Sequence, residues 1–197
     1  AYAVAGMVVY KDGVPSKKDY RKYKIKTVEG PDDYASMKEV IYRRYYRLLM
    51  EQKEMADLII VDGGLGQIKV AKEVIDGLNL PVHICGLSKD DKHSTAMLLD
   101  ENGNQVPIDT KSPLFFLLTR MQDEVHRYAI SFHRQVRSKS LFSSILDEVD
   151  GIGEARKKKL LNHFKSVKKM KEASLEELEA VIPKNTALKL YEVLHKE

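Results

Sequence analysis

The chain has 197 residues and 22.5 kDa, with 43% hydrophobic and 31% charged residues, which suits a folded domain plus a small second one. No stretch approaches the roughly 18 apolar residues of a membrane span, and no basic-then-apolar leader opens the chain. The net charge of +4 is unevenly held: residues 1–133 carry 19 Lys+Arg against 19 Asp+Glu, whereas residues 134–171 carry 11 against 4, a block able to face an anionic partner.

Residues 3–10 read as a buried strand and Lys11-Asp12-Gly13 as its turn. Residues 19–28 alternate basic with aromatic or aliphatic side chains, the period of a half-wet strand. Met37, Ile41, Tyr45 and Leu48 recur at helical spacing from Tyr34. Leu58–Val61 is a short apolar run ending in Asp62-Gly63-Gly64, and a helix is predicted from about Gln67 to Leu78. Residues 82–87 form another strand; a polar stretch, 88–94, precedes a hairpin of Met97–Leu99 and Gln105–Ile108 around Glu101–Asn104. Ser112-Pro113 starts a helix, hydroxyl as cap and proline at its first position, running to about Arg137 with Leu114, Leu117, Leu118, Met121, Val125, Tyr128 and Phe132 as its core face. Residues 138–144 are polar and serine-rich and read as a linker. Beyond them lie short helices around a Gly-Ile-Gly turn. Two antiparallel strands, a strand–helix–strand crossover and a long helix describe a mixed α/β sheet, whose ligand chemistry gathers at the carboxyl ends of parallel strands.

That rule points at Asp62. A carboxylate at a strand end beside a glycine turn reaches solvent and can hold a hard cation such as Mg²⁺ or Mn²⁺ through oxygen; a plain turn aspartate has the same spacing. Gly63-Gly64-Leu65-Gly66 before a helix suggests a phosphate cradle, but matches neither dinucleotide nor P-loop fingerprints. Asp32 and Asp33 open the helix that carries Tyr34, where a carboxylate caps free N–H groups; Asp32 reads as the cap. That helix also interleaves Arg43, Arg44 and Arg47 with Tyr42, Tyr45 and Tyr46, a path for a nucleic-acid strand or a solvated face. His126 and His133 lie seven apart on one side of the long helix, where Asp123 and Arg127 are spaced to pair. Cys85, in an apolar strand, reads as packing; a lone cysteine excludes a disulfide framework or a cysteine-built zinc centre and suits a reducing cytoplasm.

The segment 149–161 is more specific. Gly151 and Gly153 flank Ile152, and a helix follows with Arg156, Lys157 and Lys158 in its first turn and a half. Glycines let backbone approach a phosphate, free N–H groups donate, and the cations add charge. Nothing there reads base edges, so binding would be independent of sequence and salt-sensitive.

Four segments in order, GPDDYASMKEVIYRRY (30–45), ADLIIVDGGLGQ (56–67), MQDEVHRYAISFHRQVRSK (121–139) and LDEVDGIGEARKKKLLNHF (146–164), resemble the C-terminal half of the UvrC family, the incision subunit of bacterial nucleotide excision repair. The resemblance spans nearly the whole chain. It implies an RNase H-like endonuclease domain over 1–137, a linker at 138–144, and an all-α tandem helix-hairpin-helix DNA-binding domain over 145–197. It further implies a monomeric cytoplasmic protein that makes the 5′ incision beside a lesion in double-stranded DNA, with UvrA and UvrB as partners. By motif, the catalytic positions fall on Asp62, also the metal ligand, on His126 and on Asp33; His133 is a family position outside the active triad. The implied mechanism uses one essential metal ion, with His126 as neutral ligand or base.

Two departures accompany the match. The family's nuclease begins with a strand bearing a further catalytic aspartate in a Phe-Asp motif, which this sequence does not contain, so the first sheet strand is expected to be missing and the fragment to be inactive. The second hairpin, Val181–Thr186, has no glycine, which puts its phosphate contact in question, although Ser174-Leu175-Glu176-Glu177 is a capping box and Leu188, Tyr191 and Leu194 supply an apolar face. The competing reading is a non-catalytic, sequence-independent DNA-binding module.

Overall fold

The computed structural model describes residues 3–28, 30, 32–89 and 96–196. Most of the polar stretch 88–94, and Pro31 of the Gly-Pro-Asp-Asp-Tyr motif, lie outside the described residues. The chain divides into two units, Ala1–Phe132 and His133–Glu197.

The first unit opens with β1 (Val4–Met7), a short hairpin of β2 (Tyr10–Lys11) and β3 (Val14–Pro15) turning at Asp12-Gly13, and β4 (Arg21–Lys24). β1 and β4 pair antiparallel, Val4 with Lys24 through Met7 with Arg21, as a ladder separate from the larger sheet. The extended backbone after β4 is fixed by α1 (Asp33–Met50): Glu39, its side chain 6% exposed, accepts N–H groups of Lys26 and Thr27, the Thr27 hydroxyl and the Arg43 guanidinium. Asp32 caps α1, accepting the Ala35 N–H at 3.0 Å.

The main sheet has the order β5-β6-β7-β8, from β5 (Leu58–Asp62), β6 (His83–Lys89), β7 (Ala96–Leu99) and β8 (Gln105–Val106). β5 and β6 run parallel, joined through α2 (Leu65–Gly77), while β6–β7 and β7–β8 are antiparallel. The crossover exists because two parallel strands cannot be joined by a tight turn. Ile41, Tyr45 and Leu48 of α1, Ile68, Ala71, Val74 and Ile75 of α2, and Val61, Ile84 and Leu99 of the sheet form one core. The β7–β8 turn is held by the Asp100 carboxylate, which accepts N–H groups of Asn102 and Asn104.

Helix α3 (Pro113–Asp147) begins as expected, the Ser112 hydroxyl accepting the Phe115 N–H. It does not stop near Arg137: residues 138–144 are helical, and Phe142, 3% exposed, anchors them in the second unit's core. The serines there lack a strong helix preference, but burial of Phe142 and Leu146 outweighs it. The expected core face also shifts. Leu118 and Phe132 are buried, Leu114 is 49% exposed, and Gln122 takes a buried position. Arg127 pairs with Glu124 rather than Asp123, because Glu124 is already turned inward to the Tyr20 hydroxyl.

The second unit is helical: the end of α3, then α4 (Glu154–Phe164), α5 (Val167–Glu172), α6 (Leu175–Glu179) and α7 (Lys184–Leu194). Leu146, Leu160, Met170, Leu178 and Leu190 are fully buried at its centre. Ser166 caps α5, and Ser174 caps α6 as the sequence predicts.

Candidate functional site

Ile59 and Val61 of β5 point into the core shared with α1 and α2, so Asp62, one residue on, faces the other way. There it meets α3. His126 Nε2–H donates to Asp62 Oδ2 at 2.5 Å, and Gln122 Nε2–H donates to Oδ1 at 3.1 Å. Gln122 and His126 are four residues apart and so stand one above the other on one helix face. The carboxylate and the imidazole are 42% and 46% exposed, while Gln122 is buried. A fixed, buried amide thus aims an open acid–imidazole pair toward solvent.

The strand end is shaped by close backbone contacts. The chain leaving Asp62 folds over β6, where the Gly63 N–H donates to the Leu87 carbonyl, and a Cβ on Gly86 would stand 2.7 Å from the Gly63 oxygen. Only glycine at position 86 allows that approach. The Gly64 N–H then donates to Gln67 Oε1 as α2 begins.

Asp33 lies at the first position of α1, exposed. The neighbouring Tyr34 ring packs on Gly66 in the first turn of α2, which puts the start of α1 at the same end of the sheet as Asp62. The structure brings Asp62 and His126 into contact; among the described residues Asp33 makes no hydrogen bond or ion pair to either. His133 is exposed, seven residues beyond His126. Gln122 was not among the residues that sequence reasoning selected, though its place four before His126, inside an otherwise apolar stripe, was a usable signal. Cys85 sits in β6, and burial pushes its thiol up, away from reactivity.

Of the donors present, the Asp62 carboxylate fits a hard divalent cation in kind, and the His126 imidazole is a softer donor beside it. Among the described residues no cluster of three or more His, Cys, Asp or Glu gathers as ligands. Mg²⁺ is commonly held by one or two carboxylates, with water and substrate phosphate completing its shell, and Asp62 supplies one such carboxylate.

In the second unit Gly151, with φ of +93°, makes the turn before α4; a Cβ there would also approach the Thr186 hydroxyl to 3.2 Å. Thr186, on α7, is buried, so the glycine-free second turn packs against the first. Gly153 is the N-cap of α4 in an extended conformation, with open space where a side chain would stand. The three basic residues that follow differ. Arg156 Nη1 donates to the Gly151 carbonyl at 2.5 Å. Lys157 is only 15% exposed and donates to Asp147 and, at 3.3 Å, to the Ser143 hydroxyl, and the Asp147 carboxylate holds its ammonium above the ordinary lysine range. Lys158 is exposed, with no ion-pair partner among the described residues. Of the predicted cations, two brace the hairpin and one stands free.

Comparison with known families agrees with this division. Residues 1–130 match the UvrC RNase H endonuclease domain, and residues 143–196 match the SAM-like helix-hairpin-helix tandem.

Proposed function

We propose, from the premise that this chain belongs to the UvrC RNase H endonuclease domain family, that it is the nuclease and DNA-binding part of a bacterial excision-repair incision enzyme acting in the cytoplasm with UvrA and UvrB. The observation that carries the reading is the contact of Asp62 with His126, each carboxylate oxygen having its own donor from α3. Asp62 and His126 would hold Mg²⁺ or Mn²⁺. A divalent cation supplies charge stabilisation at a phosphorus centre and helps ionise an attacking water. The chain's own residues do the rest. Gln122 keeps Asp62 in one orientation, His126 serves either as a neutral ligand beside Asp62 or as the base for the attacking water, and the Gly151–Gly153 turn with Lys158 grips a phosphodiester backbone without reading bases. Asp33, at the same end of the sheet, is assigned to the active centre by its motif.

The alternative, a non-catalytic DNA-binding module, draws on the same hairpin; the joint presence of Asp33, Asp62 and His126 speaks against it. The deciding experiment is incision of a lesion-bearing duplex with UvrA, UvrB and Mn²⁺, mapped to the nucleotide. It is run both on the chain itself and on a version extended by the family's Phe-Asp strand. A nick 5′ of the lesion supports the proposal; binding without any nick favours the module.

A further inference from the structure

We infer that the corner between α4 and α5 is a second contact for the phosphodiester backbone of double-stranded DNA, separate from the Gly151–Gly153 hairpin. The inference rests on the DNA-binding reading of the second unit. Between Glu154 and Glu172 the chain has eight Lys+Arg and no Asp or Glu. Six of these, Lys158, Lys159, Lys165, Lys168, Lys169 and Lys171, are exposed, and among the described residues none of their ammonium groups has an ion-pair partner. Four lysines of the first unit, Lys11, Lys38, Lys53 and Lys72, by contrast each meet a carboxylate at 3.0 Å or less.

Like charges this close along the chain repel one another, and a polyanion relieves that cost. Lys158 stands on α4 and Lys165 is its C-cap, with φ of +69°. Eleven residues make α4 about 16 Å long, with the hairpin at its start and Lys165, Lys168 and Lys169 at its far end. Hairpin and corner together therefore span roughly five base pairs at about 3.4 Å each. Among the described residues this surface has no exposed Phe, Tyr or Trp on which an unpaired base could stack and no exposed large apolar residue to enter a membrane, which favours duplex backbone.

The test is fluorescence anisotropy of a labelled 20-base-pair duplex with the whole chain, across about 50–200 mM KCl. Neutralising the corner, Lys165→Gln with Lys168→Gln and Lys169→Gln, is expected to reduce the log–log salt slope by about 2 to 3, at about 0.9 per phosphate lost. At about 100 mM salt the affinity falls at least tenfold, and the triple Lys→Arg version restores both. Lys139→Gln with Lys189→Gln and Lys196→Gln removes equal charge elsewhere in the unit and should leave the slope unchanged. If the corner variant binds like that control, the inference is overturned. Gly153→Asp separates this failure from that of the underlying reading, since aspartate is a sound N-cap that repels phosphate. Loss of binding with Gly153→Asp alone keeps the hairpin and removes the corner, whereas a wild-type chain that shows no salt-dependent binding removes both.

Discussion

Asp62 is held from two sides, and the two donors have unequal surroundings. His126 is open to solvent and Gln122 is not, so Gln122 has fewer ways to reorient and sets the direction of the carboxylate. Gln122→Leu keeps the volume and removes the donor. Because Asp62 Oδ1 is near water, the fold should tolerate the change, while turnover of the extended enzyme falls about 10- to 100-fold, the usual effect of removing a hydrogen bond that orients a metal-binding group. Unchanged turnover would show that Asp62 needs no such support. Glu39 is a structural counterpart. Burial by itself would raise its carboxyl, but hydrogen bonds from the Thr27 hydroxyl and N–H, the Lys26 N–H and Arg43 outweigh that and hold it at about 2. Its unfolded value is about 4.3, so its contribution is complete above that pH and is lost as pH falls through about 2. Glu39→Gln should lower stability at neutral pH by on the order of 3 kcal/mol. Urea midpoints of the two proteins should converge between about pH 4.3 and 2; a gap that ignores pH would contradict the assignment.

At the level of elements, the strands and helices that position Asp62 were legible because their patterns are simple. An apolar run closed by Asp-Gly-Gly reads as a buried strand, and Ser112-Pro113 marks the start of α3 with a cap that the structure contains. The contact of Asp62 with His126, 64 residues apart, could not be read from periodicity; only the family resemblance put the two in one site. The extent of α3 was misread for a physical reason. Serine costs a helix only a few tenths of a kcal/mol more than alanine, so a serine-rich stretch is a weak stop signal once Phe142 and Leu146 are buried on one side of it. Ser140→Pro distinguishes the two descriptions. In a continuous helix it costs about 3 kcal/mol, through a lost hydrogen bond and a clash with the preceding turn; in an irregular linker it would change the urea midpoint by less than about 0.5 kcal/mol equivalent.

Across the whole molecule, charge and chemistry are divided between the two units. The first has equal numbers of acidic and basic residues and holds Asp33, Asp62, Gln122 and His126, while the second has 14 Lys+Arg against 10 Asp+Glu, its excess concentrated from Arg156 to Lys171. Under the proposed function, one unit would supply a site of few charges that admits a phosphate, and the other a sequence-independent affinity. No helix among the described residues is long and apolar enough to cross a membrane. The account turns on Asp62, and the most direct measurement is single-turnover cleavage by the extended enzyme and its Asp62→Asn variant, with DNA binding and circular dichroism followed on the same samples. Asparagine keeps the size and the hydrogen bond from Gln122 but gives up the charge. Cleavage should fall by about a thousandfold or more, the equivalent of several kcal/mol of lost charge stabilisation, with folding and DNA affinity unchanged. An Asp62→Asn enzyme that cuts at the wild-type rate would place the nuclease centre elsewhere.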